Sequence, residues 1–87
     1  MHLTWDEDQN AELARKYGAD LRNKRKILGL TQVEFARLID SSAGTISGFE
    51  NGKFIPSAPM CDTIFTALEN QRRIKGVPLD DAWKKGE

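Results

Sequence analysis

Side chains capable of covalent or metal chemistry are few in this chain of 87 residues. Cys61 is the single cysteine and His2 the single histidine, so neither a Cys-x-x-Cys metal pair nor a histidine-activated serine can be assembled. Glu50, the acid in the middle of the chain, has no neighbouring acid, metal ligand or nucleophile in the sequence. We therefore expect no catalytic residue, no metal site and no cofactor, and we expect that the protein is not an enzyme.

The charged residues are unevenly distributed, although the formal net charge is zero. Residues 1–20 have a net charge of −3, whereas residues 21–53 have a net charge of +3. The basic stretch from Arg22 to Lys26 could contact phosphate groups, because a local concentration of positive charge is sufficient for that. A solvated helix face explains the same charges equally well.

The elements that must position these side chains are predicted to be helices. No run of alternating β-branched residues indicates a strand, and apolar residues recur at helical spacing. We expect a single all-α domain over residues 1–87, a compact bundle of four to five short helices. Thr4 followed by Glu7 has the form of a capping box, Gly18 predicts a kink or break, and Gly29 predicts the end of the first helix.

Two short helices are predicted in the middle of the chain. Thr31 with Glu34 forms a capping-box pattern before the first helix. Ser42 is a suitable N-cap for the second helix, which runs from residue 43 to about 51 and is closed by Gly52. The tight turn that joins them, which contains Asp40, gives the spacing of a helix-turn-helix motif. Ser57 is predicted to cap a fourth helix.

The predicted core consists of apolar residues from these helices. We expect it to contain Phe35, Leu38, Ile46, Phe49, Ile64, Phe65 and Leu68, with Cys61 as a small buried side chain. Trp5 and Trp83 lie near the two ends of the chain. Each could fold back on the core or form a dimer contact together with Ile74, Val77 and Leu79.

The segment GLTQVEFARLIDSSAGTISGFENGKFIPS strongly resembles the lambda/434-repressor-like (XRE) helix-turn-helix family. The matching positions are Gly29, Leu30, Thr31, Gln32, Glu34, Ala36, Ser42, Ile46, Ser47, Glu50, Gly52 and Pro56. The resemblance covers residues 21–68, the motif core, and leaves an acidic helical extension at 1–20 and a C-terminal extension at 69–87. Asp40 and Ser41 depart from the family's glycine and apolar residue in the turn.

This resemblance implies a sequence-specific transcriptional regulator, repressor-like and of prokaryotic, phage or mobile-element type, that binds double-stranded operator DNA as a homodimer. A cytoplasmic location is expected, without a membrane partner, because the sequence contains neither a signal-peptide pattern nor an apolar run of spanning length. By the same resemblance Gln32 contacts a phosphate and braces the second helix. Arg25 pairs with Glu50 as a structural ion pair that fixes the angle of that helix.

The remaining expected DNA contacts lie on or next to the second helix. They are Ser42, Ala43, Gly44, Thr45, Ser47, Gly48, Asn51 and Lys53. Gly44 and Gly48 occupy positions that other family members use for base contacts, and they provide no side chain for base recognition. Either this face is unused, or its bare backbone enters deep into the major groove and reads DNA shape.

A different class of function fits the same features. A helix-turn-helix protein without DNA recognition could sequester another regulator through a protein interface, as an antiactivator or antitoxin-like protein does. The neutral charge, the acidic N-terminal segment and the two glycines favour this alternative. Gln32, Lys53 and the basic stretch favour DNA binding.

Overall fold

The computed structural model describes residues 7–84, with side chains described from residue 10 onward. Within this range the chain forms five helices and no strand, which confirms the all-α prediction. The helices are α1 (Glu7–Ile27), α2 (Gln32–Leu38), α3 (Ala43–Glu50), α4 (Ala58–Lys75) and α5 (Asp81–Lys84). Thr4 was expected to cap the first helix, and Trp5 to contact the core or a dimer partner. Both residues lie outside the described range.

A kink or a break was expected at Gly18, and the break is wrong because the first helix is continuous. Gly18 instead lies where α1 touches the end of α3. A Cβ atom at Gly18 would lie 2.1 Å from the carbonyl oxygen of Phe49 and 2.8 Å from that of Glu50. The glycine therefore allows two helix backbones to meet, a contact that any side chain would prevent. Gly29 ends the helix in a left-handed conformation, as predicted (φ +71°).

Both helices of the central pair begin at the predicted caps. Thr31 and Glu34 form the reciprocal capping box, with the Glu34 N–H donating to Thr31 Oγ1 at 3.0 Å and the Thr31 N–H to Glu34 Oε1 at 2.9 Å. Hydrogen bonding to Thr31, chiefly from its backbone N–H, lowers the pKa of Glu34. Ser42 Oγ accepts from the Thr45 N–H and caps α3. Asp40 takes a left-handed conformation (φ +54°) in the turn between the helices.

The core is centred on Phe35, Leu21, Ile46 and Ile64, which are almost completely buried. Trp83 of α5 is 3% exposed and packs against this core. Of the two positions expected for Trp83, the structure shows the one in which the side chain folds back on the core. The prediction that Leu38 and Phe65 lie in the core is wrong, because both are about half exposed. Each lies beside a buried residue along its helix (Ile39 and Ile64), and one step along a helix turns a side chain by about 100° out of the buried stripe.

The C-terminal helices also begin at side-chain caps. The predicted cap Ser57 accepts from the Met60 N–H at 3.4 Å, and Asp80 accepts from the backbone N–H groups of Ala82 and Trp83 at the start of α5. Cys61 is only partly buried, and its thiol donates to the Pro56 carbonyl oxygen at 3.6 Å. None of the helices in the described range has both the length and the apolar character needed to cross a membrane.

Candidate nucleic-acid interface

The orientation of α3 is fixed by a buried ion pair. Arg25 of α1 donates from Nε to Glu50 Oε2 at 2.6 Å and from Nη2 to Glu50 Oε1 at 2.9 Å. The two side chains are 10% and 3% exposed. The hydrogen bond to Glu50, helped by the opposite charge and opposed by burial, raises the pKa of Arg25. The structure thus brings together the two residues expected to form the structural pair, in the bidentate geometry that a guanidinium and a carboxylate favour.

Two further hydrogen bonds connect this ion pair to the surrounding chain. Arg25 Nη1 donates to the Leu30 carbonyl oxygen at 2.7 Å. Gln32 Nε2, at the start of α2, donates to Glu50 Oε1 at 3.2 Å. The Glu50 carboxylate therefore ties α1 and α2 to the last turn of α3. Among the described side chains, no buried polar atom lacks a hydrogen-bond partner, so this charged site is also internally satisfied.

The outer face of α3 has only short side chains, and most of them bond to one another. Ser42 Oγ lies 3.0 Å from Thr45 Oγ1. Asn51 Nδ2 donates to Ser47 Oγ at 3.2 Å. Gly44 is exposed, and a Cβ atom there would touch only Ser42 Oγ, at 3.9 Å. Ala43 is partly exposed and Lys53, beyond the helix, is exposed.

Gly48 corrects the expectation of a bare glycine surface. It is buried, because the aromatic ring of Phe54 covers it: a Cβ atom at Gly48 would lie 2.6 Å from both Cε1 and Cζ of that ring. The ring also meets Phe49 edge-on, with 5.0 Å between ring centroids and an interplanar angle of 75°. Phe54 itself remains 47% exposed. The outer face of α3 therefore has an aromatic side chain, contributed by the loop that follows the helix.

The DNA contacts expected from the sequence end at Lys53 and do not include Phe54. A usable signal was present: a glycine in an outward helical position, followed six residues later by an aromatic residue. A short loop that doubles back from a helix end can return a side chain to the last turn.

The basic stretch provides fewer free cations than its composition suggests. Lys24 and Arg25 are buried. Lys24 is paired with Asp20, and its ammonium group lies 5.4 Å from the centroid of the Trp83 ring, so this lysine stabilises the interior. Arg22 and Lys26 are exposed on the surface of α1. Half of the charge expected to face phosphates is therefore used within the fold.

The described residues contain no group of three or more His, Cys, Asp or Glu side chains placed to hold a metal ion. What the geometry provides is a helix held rigidly at its inner side and lined at its outer side by small polar groups and one aromatic ring. Such a surface can donate and accept hydrogen bonds and make apolar contacts.

Comparison with known proteins identifies the class of this chain. Residues 21–71 match the family model described as helix-turn-helix, that of the XRE, lambda/434-repressor-like proteins. No curated protein and no solved structure matches the chain. The match extends from the last third of α1 into α4, so it includes the ion pair, α2, α3 and the Phe54 loop. The chain therefore belongs to the XRE family of helix-turn-helix proteins, which are DNA-binding regulators and not enzymes, and whose partner is double-stranded DNA.

Proposed function

We propose that this protein is a repressor of prokaryotic, phage or mobile-element type that recognises operator DNA as a homodimer, with α3 in the major groove. The observation that carries the proposal is the network at Glu50, in which hydrogen bonds from Arg25 and Gln32 hold the last turn of α3. A helix held from its inner side keeps one angle while its outer side contacts a ligand. This is the requirement for reading bases in a groove.

Phosphate contacts come from residues at the two ends of the central helix pair and from α1. The amide group of Gln32 has two hydrogens, and its single bond to Glu50 leaves one that can donate to a phosphate. Lys53 is exposed just beyond α3 and supplies a positive charge. Arg22 and Lys26 are exposed and add to the attraction. These contacts supply affinity and fix the register of the protein on the duplex, without selecting a sequence.

Base contacts come from the outer face of α3. Ser47 and Asn51 can exchange their mutual hydrogen bond for bonds to base edges, and Ala43 can contact a thymine methyl group. Ser42 and Thr45, which bond to each other at the start of the helix, can do the same for a phosphate or a base. Because all these side chains are short, the helix must approach the bases closely, and the open surface at Gly44 permits that approach.

A homodimer is proposed because repressors of this kind read two half-sites about one helical turn apart. Exposed apolar side chains outside α2 and α3 offer a surface for it: Phe65, Ile74 and Leu79 are each more than half exposed. Sedimentation of the purified protein with and without a duplex containing two half-sites measures the stoichiometry. A single protomer on such a duplex at saturation would contradict the dimer.

The test of DNA binding has two steps. Selection of bound duplexes from a random library should yield a sequence with dyad symmetry. Binding to a random duplex should then weaken steeply with salt, and Lys53→Ala should reduce the slope of log affinity against log salt by about one. Gln32→Ala should weaken binding to operator and random duplexes alike. Lys84→Ala, which removes the same charge from α5, is the matched control and should leave the slope unchanged.

The alternative function is that of a protein that sequesters another regulator. The burial of Lys24 and Arg25 favours it, since those two cations are not available to phosphates. Under this alternative the exposed apolar residues of α4 form the partner surface. Absence of binding to any duplex at about 50 mM salt would support this alternative and contradict the DNA-binding proposal.

A further inference from the structure

On the outer face of α3, Gly48 has no side chain and is nevertheless shielded from solvent, because Phe54 lies over it. Gly48 follows the buried Ile46 by two residues, which turns it about 200° away from the core side. It therefore points outward, and its burial is due to the Phe54 ring at the position where its own side chain would be. The ring replaces a helix side chain at this position.

The backbone places the ring there by a defined chain reversal. The Lys53 N–H donates to the Gly48 carbonyl oxygen at 3.0 Å, and the Gly52 N–H donates to the Phe49 carbonyl oxygen at 3.1 Å. Gly52 is left-handed, with a φ of +71°. This is the Schellman pattern of helix ends, and it brings the residues after Gly52 back over the last turn.

One side-chain contact of the ring is defined, and the chain just beyond Phe54 is anchored as well. The edge contact with Phe49, itself 4% exposed, connects the ring to the core. Pro56, two residues further on, is buried and accepts the Cys61 thiol hydrogen bond. The ring thus packs edge-on against Phe49 and over Gly48, yet nearly half of Phe54 faces outward. An aromatic residue with this much exposed surface, next to the polar side chains of α3, is available to a ligand.

We propose that Phe54 is a specificity-determining residue that recognises thymine through contact of its ring with the 5-methyl group in the major groove. This inference rests on the proposed function, in which α3 enters that groove. A phenyl ring can neither donate nor accept a conventional hydrogen bond, so it cannot read the polar pattern of a base edge. The apolar group that the major groove presents is the thymine methyl. A contact with this methyl group distinguishes a T·A pair from an A·T pair and from either orientation of a G·C pair.

Gly48 has a positioning role in this arrangement. A side chain at that position would overlap the Cε1 and Cζ atoms of the ring and displace it. The glycine accordingly reflects neither an unused face nor a bare approach of the backbone. It provides the space in which the reading side chain lies.

The experiment uses the full chain and an operator obtained by selection. Each thymine of the operator is replaced in turn by deoxyuridine, which lacks only the methyl group. At the position that Phe54 contacts, the replacement should weaken binding of the unmodified protein about fourfold, the effect of burying one methyl group. Phe54→Ala should bind the thymine and uracil duplexes equally, with its other base preferences retained.

Two further variants separate the role of the ring from that of the fold. Gly48→Ala keeps Phe54 but displaces its ring, so the dependence on the methyl group should be reduced or lost. Leu13→Ala removes an apolar side chain of similar exposure that lies outside the proposed interface, and it should retain the dependence at that position. Melting temperatures of all variants show whether each one is folded.

The outcomes distinguish this inference from the proposed function. If Phe54→Ala retains the same fourfold loss with uracil, or if the unmodified protein is indifferent to every thymine methyl, the role of Phe54 is overturned while DNA binding stands. A dependence lost in Ala43→Gly but retained in Phe54→Ala assigns the methyl contact to Ala43 instead. If no sequence is enriched in the selection, the proposed function itself fails, and the inference fails with it.

Discussion

The inner and outer sides of α3 each depend on a glycine, but the two glycines accommodate different neighbours. On the inner side, Gly18 admits the carbonyl oxygens of Phe49 and Glu50, which belong to the α3 backbone and cannot rotate away. On the outer side, Gly48 admits the far end of the Phe54 side chain, which can rotate. The same residue type therefore fixes the position of the helix on one side and makes room for an aromatic side chain on the other.

The polar groups of the two sides differ in the same sense. Inside, the Arg25–Glu50 pair is almost completely buried and hydrogen-bonded throughout. Outside, Ser47 and Asn51 are satisfied by each other at the protein surface. Breaking the inner network would leave a buried charge, whereas exchanging the outer bonds for bonds to water or DNA costs little. The contrast separates a supporting side from a recognition side within a helix of eight residues.

The largest effect is expected from breaking the inner ion pair. Arg25→Ala and Glu50→Ala should each reduce the free energy of unfolding by about 3 to 5 kcal/mol, because each strands a buried charge. The double variant should lose less than the sum, since neither charge is then left alone. Urea unfolding of the four proteins measures this.

The chain contains a matched control for that cycle. Lys16 and Glu12 form an exposed pair on α1, with 3.4 Å between the charged atoms and side chains that are 64% and 60% exposed. Lys16→Ala should cost no more than about 0.5 kcal/mol, because solvent screens the pair. Additive losses at Arg25 and Glu50, or losses as small as that at Lys16, would contradict the supporting role assigned to the inner side.

The next effect concerns the backbone contact at Gly18. Gly18→Ala should destabilise the protein by about 3 kcal/mol, the upper end of ordinary overpacking, because the added methyl group meets rigid carbonyl oxygens. This loss opposes and exceeds the gain of about 1 kcal/mol that alanine gives over glycine within a helix. Ala19→Gly, at the exposed neighbouring position, calibrates that propensity term alone. A Gly18→Ala variant more stable than the unmodified protein would show that α1 and α3 do not meet here.

The parts of this fold that could be predicted from sequence are those with local causes. Thr31, Ser42 and Ser57 cap helices because their side-chain oxygens reach backbone N–H groups only three residues away. Gly52 ends α3 because it adopts a left-handed conformation without strain. The Gly18 contact joins residues more than thirty positions apart, and nothing near Gly18 in the sequence specifies the residue that it meets.

The burial of part of the basic stretch is an intermediate case, because it could have been predicted from the helical periodicity of the sequence. Lys24 and Arg25 lie three and four residues after Leu21, and four and three residues before Leu28. Both leucines are buried, so the helical repeat places the two cations on the core face of α1. Counting charge along the chain suggested a solvent-facing stripe, whereas counting helical turns indicates that only Arg22 and Lys26 face outward.

The smallest effects should sharpen the contrast between the two glycines of α3. Gly44→Ala should stabilise the protein by up to about 1 kcal/mol, since the new methyl group makes an ordinary contact 3.9 Å from Ser42 Oγ. Gly48→Ala should gain the same propensity but lose the packing of the Phe54 ring on the helix and on Phe49, so we expect little net change. Thermal unfolding of both variants gives the comparison.

A double-variant cycle tests whether Phe54 causes that difference. Once Phe54→Ala has removed the ring, an alanine at Gly48 meets no obstacle, and it should stabilise the protein as much as an alanine at Gly44 does. The coupling of about 1 kcal/mol between Gly48 and Phe54 should have no counterpart between Gly44 and Phe54, because Gly44 lies a full turn away and only Ser42 is near it. If Gly48→Ala already stabilises the unmodified protein as much as Gly44→Ala does, the ring is not held against α3 in solution, and the outer face is bare.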